Sequence, residues 1–464
     1  MPHFDPSDAA VWTGGRWSGA PAPGRRIVHD SRAVKPGDWF VALRGERTDG
    51  HDYLPDVFAR GAAAAIVERG RGSARSGPCL ETESPRAALT AMARGHRRTL
   101  RGRIIGITGS VGKSTIKEMV AAVLSRAGCV CRNPGNWNND LGVPLSLLAM
   151  NPDDDWGVFE LGMNHPGELR DLCDLLQPHW GIMGRIGPAH IEFFPDESAV
   201  ADEKSALVAA LPEDGLAIAA CDEPWFERIA ARARSRLVRV ALDREADYRG
   251  QWEPASSRLR VTRPGEAAFE YAVPFPGEHM ARNALRAIAA GREAGLSKED
   301  IAAGLCDARL PPMRWMMVNR SGVCWVNDAY NCSPDSLSAA LRLFASSPPA
   351  DRRWVALGGM RELGAHSVDY HRAAGREAAA GPWAGLVCVG ERARDIAMGA
   401  EQAGYPADRI FRCDTPEEAA HILEMRVRAG DAVLLKGSRG ERMEQILEHG
   451  QPPANAPASP RPPM

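Results

Sequence analysis

The fold of this chain is decided by residues 103–115, which read RIIGITGSVGKST. The apolar run Ile104–Ile107 is typical of a buried strand, and residues 113–126 have the apolar spacing of a helix. Glycines between the two elements predict a phosphate-binding loop, because they let backbone N–H groups approach phosphate oxygens at a helix N-terminus. The sequence therefore predicts a nucleotide site on a parallel α/β sheet.

The loop has the short Gly-x-x-Gly-Lys-Ser pattern, since Ile107 occupies the position where the longer pattern has its first glycine. Lys113 is predicted to reach the β- and γ-phosphates, and the Ser114 hydroxyl to bind Mg²⁺. We assign the ATP contacts of the loop to Gly109, Ser110, Val111, Gly112, Lys113, Ser114 and Thr115. Phosphate loops serve many reactions, so the surrounding residues have to decide the chemistry.

Composition excludes several classes of protein. The 464 residues carry a formal net charge of −2, which gives no overall field for nucleic acid or an acidic membrane. The first residues lack the apolar region of a signal peptide, no apolar run is long enough to span a bilayer, and the ten cysteines show no paired CxxC spacing. We expect a cytoplasmic protein with reduced thiols, without a membrane span or a nucleic-acid partner.

Strand and helix patterns divide the chain into three α/β domains. Residues 1–100 form a small unit of short strands, residues 101–312 alternate strands with helices around the phosphate loop, and residues 313–450 form a Rossmann-like domain after Pro311-Pro312. The Arg- and Gly-rich stretch 93–102 is predicted as a linker, and the Pro/Ala-rich residues 451–464 as a disordered tail.

Three polar residues follow predicted elements of the central domain. Glu160 ends the strand Trp156–Glu160, where carboxyl ends of parallel strands line a ligand crevice, and is interpreted as a Mg²⁺ ligand or a solvated strand end. His190 follows the next strand end and is either a metal ligand or a hydrogen-bonded loop residue. Lys204, on a predicted helix, is one of only six lysines and either pairs with nearby acids or has a special chemical role.

The motifs, taken in order from Asp30 to Leu447, resemble the Mur ligases of peptidoglycan synthesis. The first domain carries Asp30-Ser31-Arg32 and Asp49-Gly50-His51, and the central domain carries Gly135-Asn136-Trp137-Asn138-Asn139. Later motifs are Gly277-x-His279-x-x-x-Asn283, Tyr330-Asn331 and Lys436-Gly437-Ser438-Arg439. The resemblance implies a UDP-binding first domain, a central ATPase domain and a C-terminal ligase domain.

The resemblance also implies roles for individual residues. Lys113, Glu160, His190 and Lys204 would be catalytic, with Ser114, Glu160, His190 and a carbamylated Lys204 holding Mg²⁺. Asn283, Arg314 and Asp328 would join the loop in binding ATP. The substrate contacts implied are Ser31, Arg32, Gly45, Asp49, His51, Asn136, Asn138, Asn139, Tyr330, Asn331 and Lys436.

Three positions depart from the family pattern. Leu207 stands where a glutamate commonly follows the modified lysine, Phe193-Phe194-Pro195 replaces a small glycine-containing turn, and Gly359 replaces an aspartate. The first two weaken the expectation of a carbamate and a second metal, and the third leaves the role of that aspartate without a counterpart.

The function implied by the resemblance is ATP-dependent joining of D-alanyl-D-alanine to UDP-N-acetylmuramoyl-tripeptide through an acyl phosphate, by a monomer. The run Asn331-x-x-Pro334-x-Ser336-Leu337 is similar to members that add the dipeptide. Alternatives are the ligase that adds the third residue, a folylpolyglutamate-type synthetase, and a phosphate-loop module that binds ATP without ligation.

Overall fold

The computed structural model describes residues 2–72 and 77–449, and arranges them in three sheets with helices packed around them. The predicted tail, 451–464, lies outside the described residues. Within the described part of the chain, none of the helices is long and apolar enough to cross a bilayer.

The first domain contains a five-stranded sheet in the order β1-β5-β4-β3-β2, parallel except for β1. Its strands are β1 (Arg16–Ser18), β2 (Ile27–Val28), β3 (Trp39–Val41), β4 (Ala64–Glu68) and β5 (Cys79–Thr82). Its helices are α1 (Pro6–Thr13), α2 (Leu54–Ala59) and α3 (Pro85–Arg97). The short-strand unit expected from the sequence is confirmed.

The prediction of a linker at residues 93–102 is wrong over its first half, because α3 continues to Arg97. Two of its polar side chains are held by the central domain. His96 Nε2 lies 2.8 Å from Met150 O, and Arg97 donates to Leu176 O at 2.7 Å and to Gln177 O at 2.9 Å. These partners are distant in sequence, so the local Arg/Gly composition gave no sign of them.

The central domain is built on nine strands in the order β14-β13-β12-β11-β10-β9-β6-β8-β7. The strands are β6 (Arg103–Thr108), β7 (Val130–Arg132), β8 (Trp156–Glu160), β9 (Trp180–Met183), β10 (Leu216–Ala220), β11 (Arg236–Leu242), β12 (Tyr248–Glu253), β13 (Arg258–Thr262) and β14 (Phe269–Ala272). The helices are α4 (Lys113–Leu124), α5 (Gly142–Leu148), α6 (Glu168–Leu176), α7 (Glu197–Lys204), α8 (Ala206–Ala209), α9 (Phe226–Ala230), α10 (Glu278–Glu293) and α11 (Lys298–Asp307). Strands β6 to β12 pair in parallel, and β12, β13 and β14 form an antiparallel edge.

The C-terminal domain has six strands in the order β15-β16-β20-β17-β18-β19, with β15 antiparallel at one edge. The strands are β15 (Met316–Arg320), β16 (Val323–Asn327), β17 (Arg353–Gly358), β18 (Trp383–Val389), β19 (Ile410–Cys413) and β20 (Ala432–Lys436). The helices are α12 (Pro334–Phe344), α13 (Ser367–Ala379), α14 (Ala393–Gln402), α15 (Pro416–Arg426) and α16 (Gln445–Glu448). Its other strand pairs are parallel, as expected for a Rossmann-like domain.

The apolar core is shared between the first two domains. One buried cluster runs from Phe4 through Leu89 and Met92 of α3 to Leu147 and Phe159 of the central domain. The main cluster of the C-terminal domain takes only Ile191 from residues before 313. The first and central domains therefore form one packed unit, which the C-terminal domain meets mainly through polar contacts.

Candidate active site

The phosphate loop lies between β6 and α4, and two of its glycines cannot be replaced without a clash. Gly109 has φ +154°, and a Cβ there would lie 2.8 Å from Gly184 Cα. Gly112 has φ +88°, and a Cβ there would lie 2.8 Å from Asn283 Oδ1. Asn283 is thus packed directly against the loop, which places this predicted ATP contact beside it.

The loop is braced by the segment after β9. Ser110 N and Val111 N donate to Arg185 O at 2.7 and 3.1 Å, and Ser110 Oγ donates to Gly187 O at 2.8 Å. This bracing accounts for the end of β9 at Met183, because Arg185 and Gly187 pair with the loop rather than with the sheet.

Lys113 folds its side chain back over the loop. Its Nζ donates to Gly109 O at 2.8 Å and to Ser110 O at 3.3 Å. Burial lowers the pKa of Lys113, while the negative charge of Glu160 opposes that shift. The amine therefore lies where an anion entering the loop would meet it.

Glu160 and Ser114 meet at the end of β8. The Glu160 carboxylate is buried, and accepts from Ser114 Oγ at 2.6 Å and from Asn138 Nδ2 at 2.7 Å. Both donors are neutral, and no lysine or arginine of the described residues forms an ion pair with Glu160. A buried carboxylate held by neutral donors, with the charge of Lys113 nearby and a hydroxyl oxygen beside it, offers the hard oxygen ligands that Mg²⁺ prefers. These residues fit a Mg²⁺ ion bound together with nucleotide phosphates.

The asparagines of residues 136–139 make different contacts. Asn138 contacts Glu160 as described, while Asn139 Oδ1 accepts from Gly142 N at 2.8 Å, at the start of α5. Asn136 is exposed. The Trp137 ring centroid lies 5.6 Å from that of His29 in the first domain, two residues before Ser31 in the sequence.

His190 is placed at the junction with the C-terminal domain. Its backbone is left-handed, with φ +65°, and Nδ1 lies 2.5 Å from Glu362 Oε2. Burial lowers the pKa of His190, and the contact with His190 lowers the pKa of Glu362. Glu362 is not among the site residues predicted from the sequence, because its partner lies in another domain.

Lys204 ends α7 and is 1% exposed. Its amine forms no hydrogen bond or ion pair with any residue that the structure describes. Burial and the nearby charge of Lys113 lower the pKa of Lys204 well below its usual value. A neutral buried amine is the nucleophilic form that carbamylation by CO₂ requires.

A second metal site is less complete than the Ser114–Glu160 site. Leu207 is fully buried against the sheet, where a Cβ on Gly106 would lie 2.8 Å from its Cδ1. No cluster of three or more His, Cys, Asp or Glu side chains suited to a metal occurs within residues 2–72 and 77–449. His190 and Lys204 would therefore need the carbamate itself, and substrate oxygens, to complete a second site.

The C-terminal domain contributes Arg314, whose Nη2 donates to Ser114 Oγ at 3.0 Å and whose guanidinium lies 4.3 Å from the Tyr330 ring centroid. Asp328 and Lys436 pair with each other, with Nζ 2.6 Å from Oδ2, and Lys436 Nζ also donates to Asn331 O at 3.0 Å. The structure thus brings Arg314 to the loop. Four further predicted residues of the C-terminal domain lie in contact with Arg314 or with one another: Asp328, Tyr330, Asn331 and Lys436.

Within the described residues, the predicted site residues of the first domain form no hydrogen bond or ion pair with the phosphate loop. Ser31 and Arg32 begin a short 3₁₀ turn, and the Arg32 side chain is 81% exposed while it pairs with Asp30. Asp49 Oδ1 lies 2.6 Å from His51 Nδ1, and His51 Nε2 accepts from Glu68 N. A cavity of about 200 Å³ opens beside His51, and Gly45 turns back onto Thr48 close by.

Gly359 has no room for the family's aspartate. A Cβ at this position would lie 2.7 Å from the Cβ of Arg392. The departure seen in the sequence is therefore matched by local packing.

Comparisons with known proteins agree with this arrangement. Family models match along the chain: "Mur ligase family, catalytic domain" at residues 25–105, "Mur ligase middle domain" at 107–291 and "Mur ligase, glutamate ligase domain" at 313–439. The UDP-N-acetylmuramoyl-tripeptide--D-alanyl-D-alanine ligase of Escherichia coli is 31% identical over 438 residues, covering 91% of this chain and 92% of that protein.

Solved structures give the same result. A crystal structure of MurF from Acinetobacter baumannii superposes with a TM-score of 0.86 at 29% identity, covering 97% of this chain and 98% of that one. MurF ligase from Thermotoga maritima, in complex with ADP, has a TM-score of 0.77 at 27% identity and covers 91% of this chain and 96% of that one. The three-domain α/β architecture expected from the sequence is confirmed.

Proposed function

The chain belongs to the Mur ligase family, and from this premise we propose that it joins D-alanyl-D-alanine to UDP-N-acetylmuramoyl-tripeptide with consumption of ATP. One observation carries the proposal. The phosphate loop carries Lys113 and Ser114, and Glu160 at the end of β8 contacts Ser114. The chain is also similar over 91% of its length to a UDP-N-acetylmuramoyl-tripeptide--D-alanyl-D-alanine ligase.

The chemistry follows from charge. A carboxylate attacks the γ-phosphorus of ATP only if the charge on the γ-phosphoryl oxygens is neutralised. Lys113 is placed to do so on entry of the triphosphate, whose negative charge would favour its ammonium form. Mg²⁺ bound between Ser114 and Glu160 would supply further charge neutralisation. The tripeptide carboxylate becomes an acyl phosphate as ADP leaves.

The second half of the reaction needs an amine. The amino group of D-alanyl-D-alanine attacks the acyl carbon, phosphate leaves with the C–O bond electrons, and the nitrogen releases a proton. We assign Tyr330, Asn331 and Lys436 to the dipeptide, because they lie together on the C-terminal domain that carries Arg314 to the loop. Exclusion of water by that domain would protect the acyl phosphate from hydrolysis.

The remaining site residues are assigned by placement. Asn283, Arg314 and Asp328 are proposed ATP contacts, with Asn283 against Gly112 as the geometric support. Ser31, Arg32, Gly45, Asp49 and His51 of the first domain, with Asn136, Asn138 and Asn139, are proposed to bind the sugar nucleotide. The Trp137–His29 contact joins these two groups of residues.

His190 and a carbamylated Lys204 are proposed ligands of a second Mg²⁺, supported by the lowered pKa of the Lys204 amine. We further propose that the protein acts as a monomer in the cytoplasm, where the precursor is made. The three-domain chain carries all the assigned residues itself, so the proposal requires no partner subunit.

The test is phosphate release from ATP with each acceptor omitted in turn, together with the mass of the product. Release that requires both UDP-N-acetylmuramoyl-tripeptide and D-alanyl-D-alanine, with formation of the pentapeptide product, supports the proposal. Turnover with UDP-N-acetylmuramoyl-dipeptide and a diamino acid would instead indicate the third-residue ligase. Release indifferent to the dipeptide would indicate an ATP-binding module, and turnover with folate and glutamate a folylpolyglutamate-type synthetase.

A further inference from the structure

Lys117 is a completely buried lysine with no role assigned from the sequence. It lies on α4, three residues after Ser114, so both side chains project from the same face of the helix. Its Nζ donates to Asn133 O at 2.7 Å and to Gly135 O at 3.2 Å, and lies 3.1 Å from Glu118 Oε1. Two of the three N–H donors of the ammonium are used by these carbonyls, and the Glu118 carboxylate supplies an opposite charge beside it.

The segment that Lys117 grips holds Glu160 by its main chain. Asn133 is fully buried, and its Nδ2 donates to Glu160 O at 2.9 Å while its Oδ1 accepts from Glu160 N at 2.9 Å. Asn133 Nδ2 also donates to Trp137 O at 2.8 Å, which fixes the turn that carries Asn138 to the Glu160 carboxylate. Two routes therefore run from the Lys117 segment to Glu160, one through its backbone and one through its side chain.

We propose that Lys117 is a positioning residue of the Mg²⁺–nucleotide site: its ammonium fixes residues 133–135, and this segment sets the position and orientation of the Glu160 carboxylate. The inference rests on the proposed function for the identity of the ligand, MgATP. The same face of α4 therefore contributes two residues to the site. Ser114 contacts the Glu160 carboxylate directly, and Lys117 holds residues 133–135.

The charges near Lys117 suit this role. Glu118 Oε2 lies 2.8 Å from Arg132 Nε, so the one carboxylate beside Lys117 is shared between two cations. Replacement of Lys117 by an apolar side chain leaves the carbonyls of Asn133 and Gly135 without their donor, and frees the segment next to Glu160. We therefore expect the substitution to change the position of the Glu160 carboxylate, in addition to any general loss of stability.

The experiment compares Lys117→Met with Arg97→Met. Arg97 is the matched control, because it is also a buried cation that donates to two main-chain carbonyls, Leu176 O and Gln177 O, without contact to Glu160. Binding of a fluorescent ATP analogue is measured with Mg²⁺ and with EDTA, and hydrogen exchange of residues 133–139 is measured in the ligand-free protein. Loss of a residue that orients a metal ligand typically weakens metal binding about 10- to 100-fold.

We expect Lys117→Met to lose about 10- to 100-fold in affinity for the Mg²⁺ complex, to keep its affinity in EDTA, and to exchange faster at residues 133–139. Arg97→Met should keep both affinities. If Lys117→Met does not fold, Lys117→Gln, which retains an amide donor, carries the same comparison. Unchanged Mg²⁺ dependence in the folded variant, or an equal loss in Arg97→Met, overturns the proposal.

The binding measurements use no acceptor substrate, so they separate this inference from the proposed function. A wild-type protein that binds MgATP in a Lys117-dependent manner but forms no pentapeptide product would reject the proposed ligation and retain the role of Lys117. Ligation with a Lys117-independent Mg²⁺ requirement would do the reverse.

Discussion

Removal of one hydroxyl from the phosphate loop should disturb both the stability of the site and its affinity for MgATP. Ser114 Oγ donates to the Glu160 carboxylate at 2.6 Å, and both residues are at most 3% exposed. A hydrogen bond to a buried charged group contributes about 1.5–3 kcal/mol. We therefore expect Ser114→Ala to lower the free energy of opening of β8 by about 2 kcal/mol in the ligand-free protein.

The assay is native-state hydrogen exchange of the β8 amides, with a double-mutant cycle to isolate the bond. Glu160→Gln removes the charge that the hydroxyl serves, so the effects of the two changes should not add when combined. Ser125→Ala is the control on the same helix, because its hydroxyl donates only to Ala121 O, four residues earlier, and it should have little effect. Ser114→Thr, which keeps the hydroxyl, should retain most of the stability.

Additive effects of the two substitutions would contradict the expected coupling between Ser114 and Glu160. If Ser114→Ala and Glu160→Gln add to within about 0.5 kcal/mol, the two residues are energetically independent. The 2.6 Å contact would then not be the bond that orders the site. MgATP affinity measured on the same four proteins should show the same lack of additivity.

Three further outcomes can be measured. Lys113→Ala should abolish pentapeptide formation with an unchanged circular dichroism spectrum, since the residue neutralises phosphate charge; retained turnover would contradict the mechanism. Lys204→Met should lose activity yet raise the Tm at pH 7 in CO₂-free buffer, because the folded-state pKa of this lysine is well below its usual value, so that protonation of the amine favours the unfolded chain. That gain should shrink as the pH rises toward 10.5, the usual pKa, and a gain independent of pH would contradict the assignment. Gly359→Asp should lower the Tm because its Cβ would lie 2.7 Å from Arg392 Cβ, and Arg392→Gly, tested as a second change, should recover part of the loss.

Local patterns were sufficient for the elements that the sheet buries. The runs that became β6, β8 and β10 are almost wholly apolar, and glycines set the start of α4, so sequence alone predicted the central sheet and its loop. The short edge strand β7 and the largely exposed β15 have no such apolar run, and the sequence did not reveal them. Edge strands are defined by pairing with a neighbour rather than by their own residues.

The candidate site shows the same division. Lys113 and Ser114 were identified because spacing within one short segment determines their positions. The contact of His190 with Glu362 depends on how two domains meet, and the burial of Lys117 depends on the main chain of a distant turn. Such features arise from tertiary packing, which no local spacing records. The roles of the remaining substrate residues stay predictions.

The apolar cluster shared by the first two domains limits how this protein can be divided by genetic means. A cut near residue 101 would separate α3 from α5 and α6 of the central domain and divide this cluster, exposing an apolar surface prone to aggregation. A cut between residues 312 and 313 removes only Ile191 from the main C-terminal cluster. Division of the chain at residues 312–313 would therefore disrupt less apolar packing than division near residue 101.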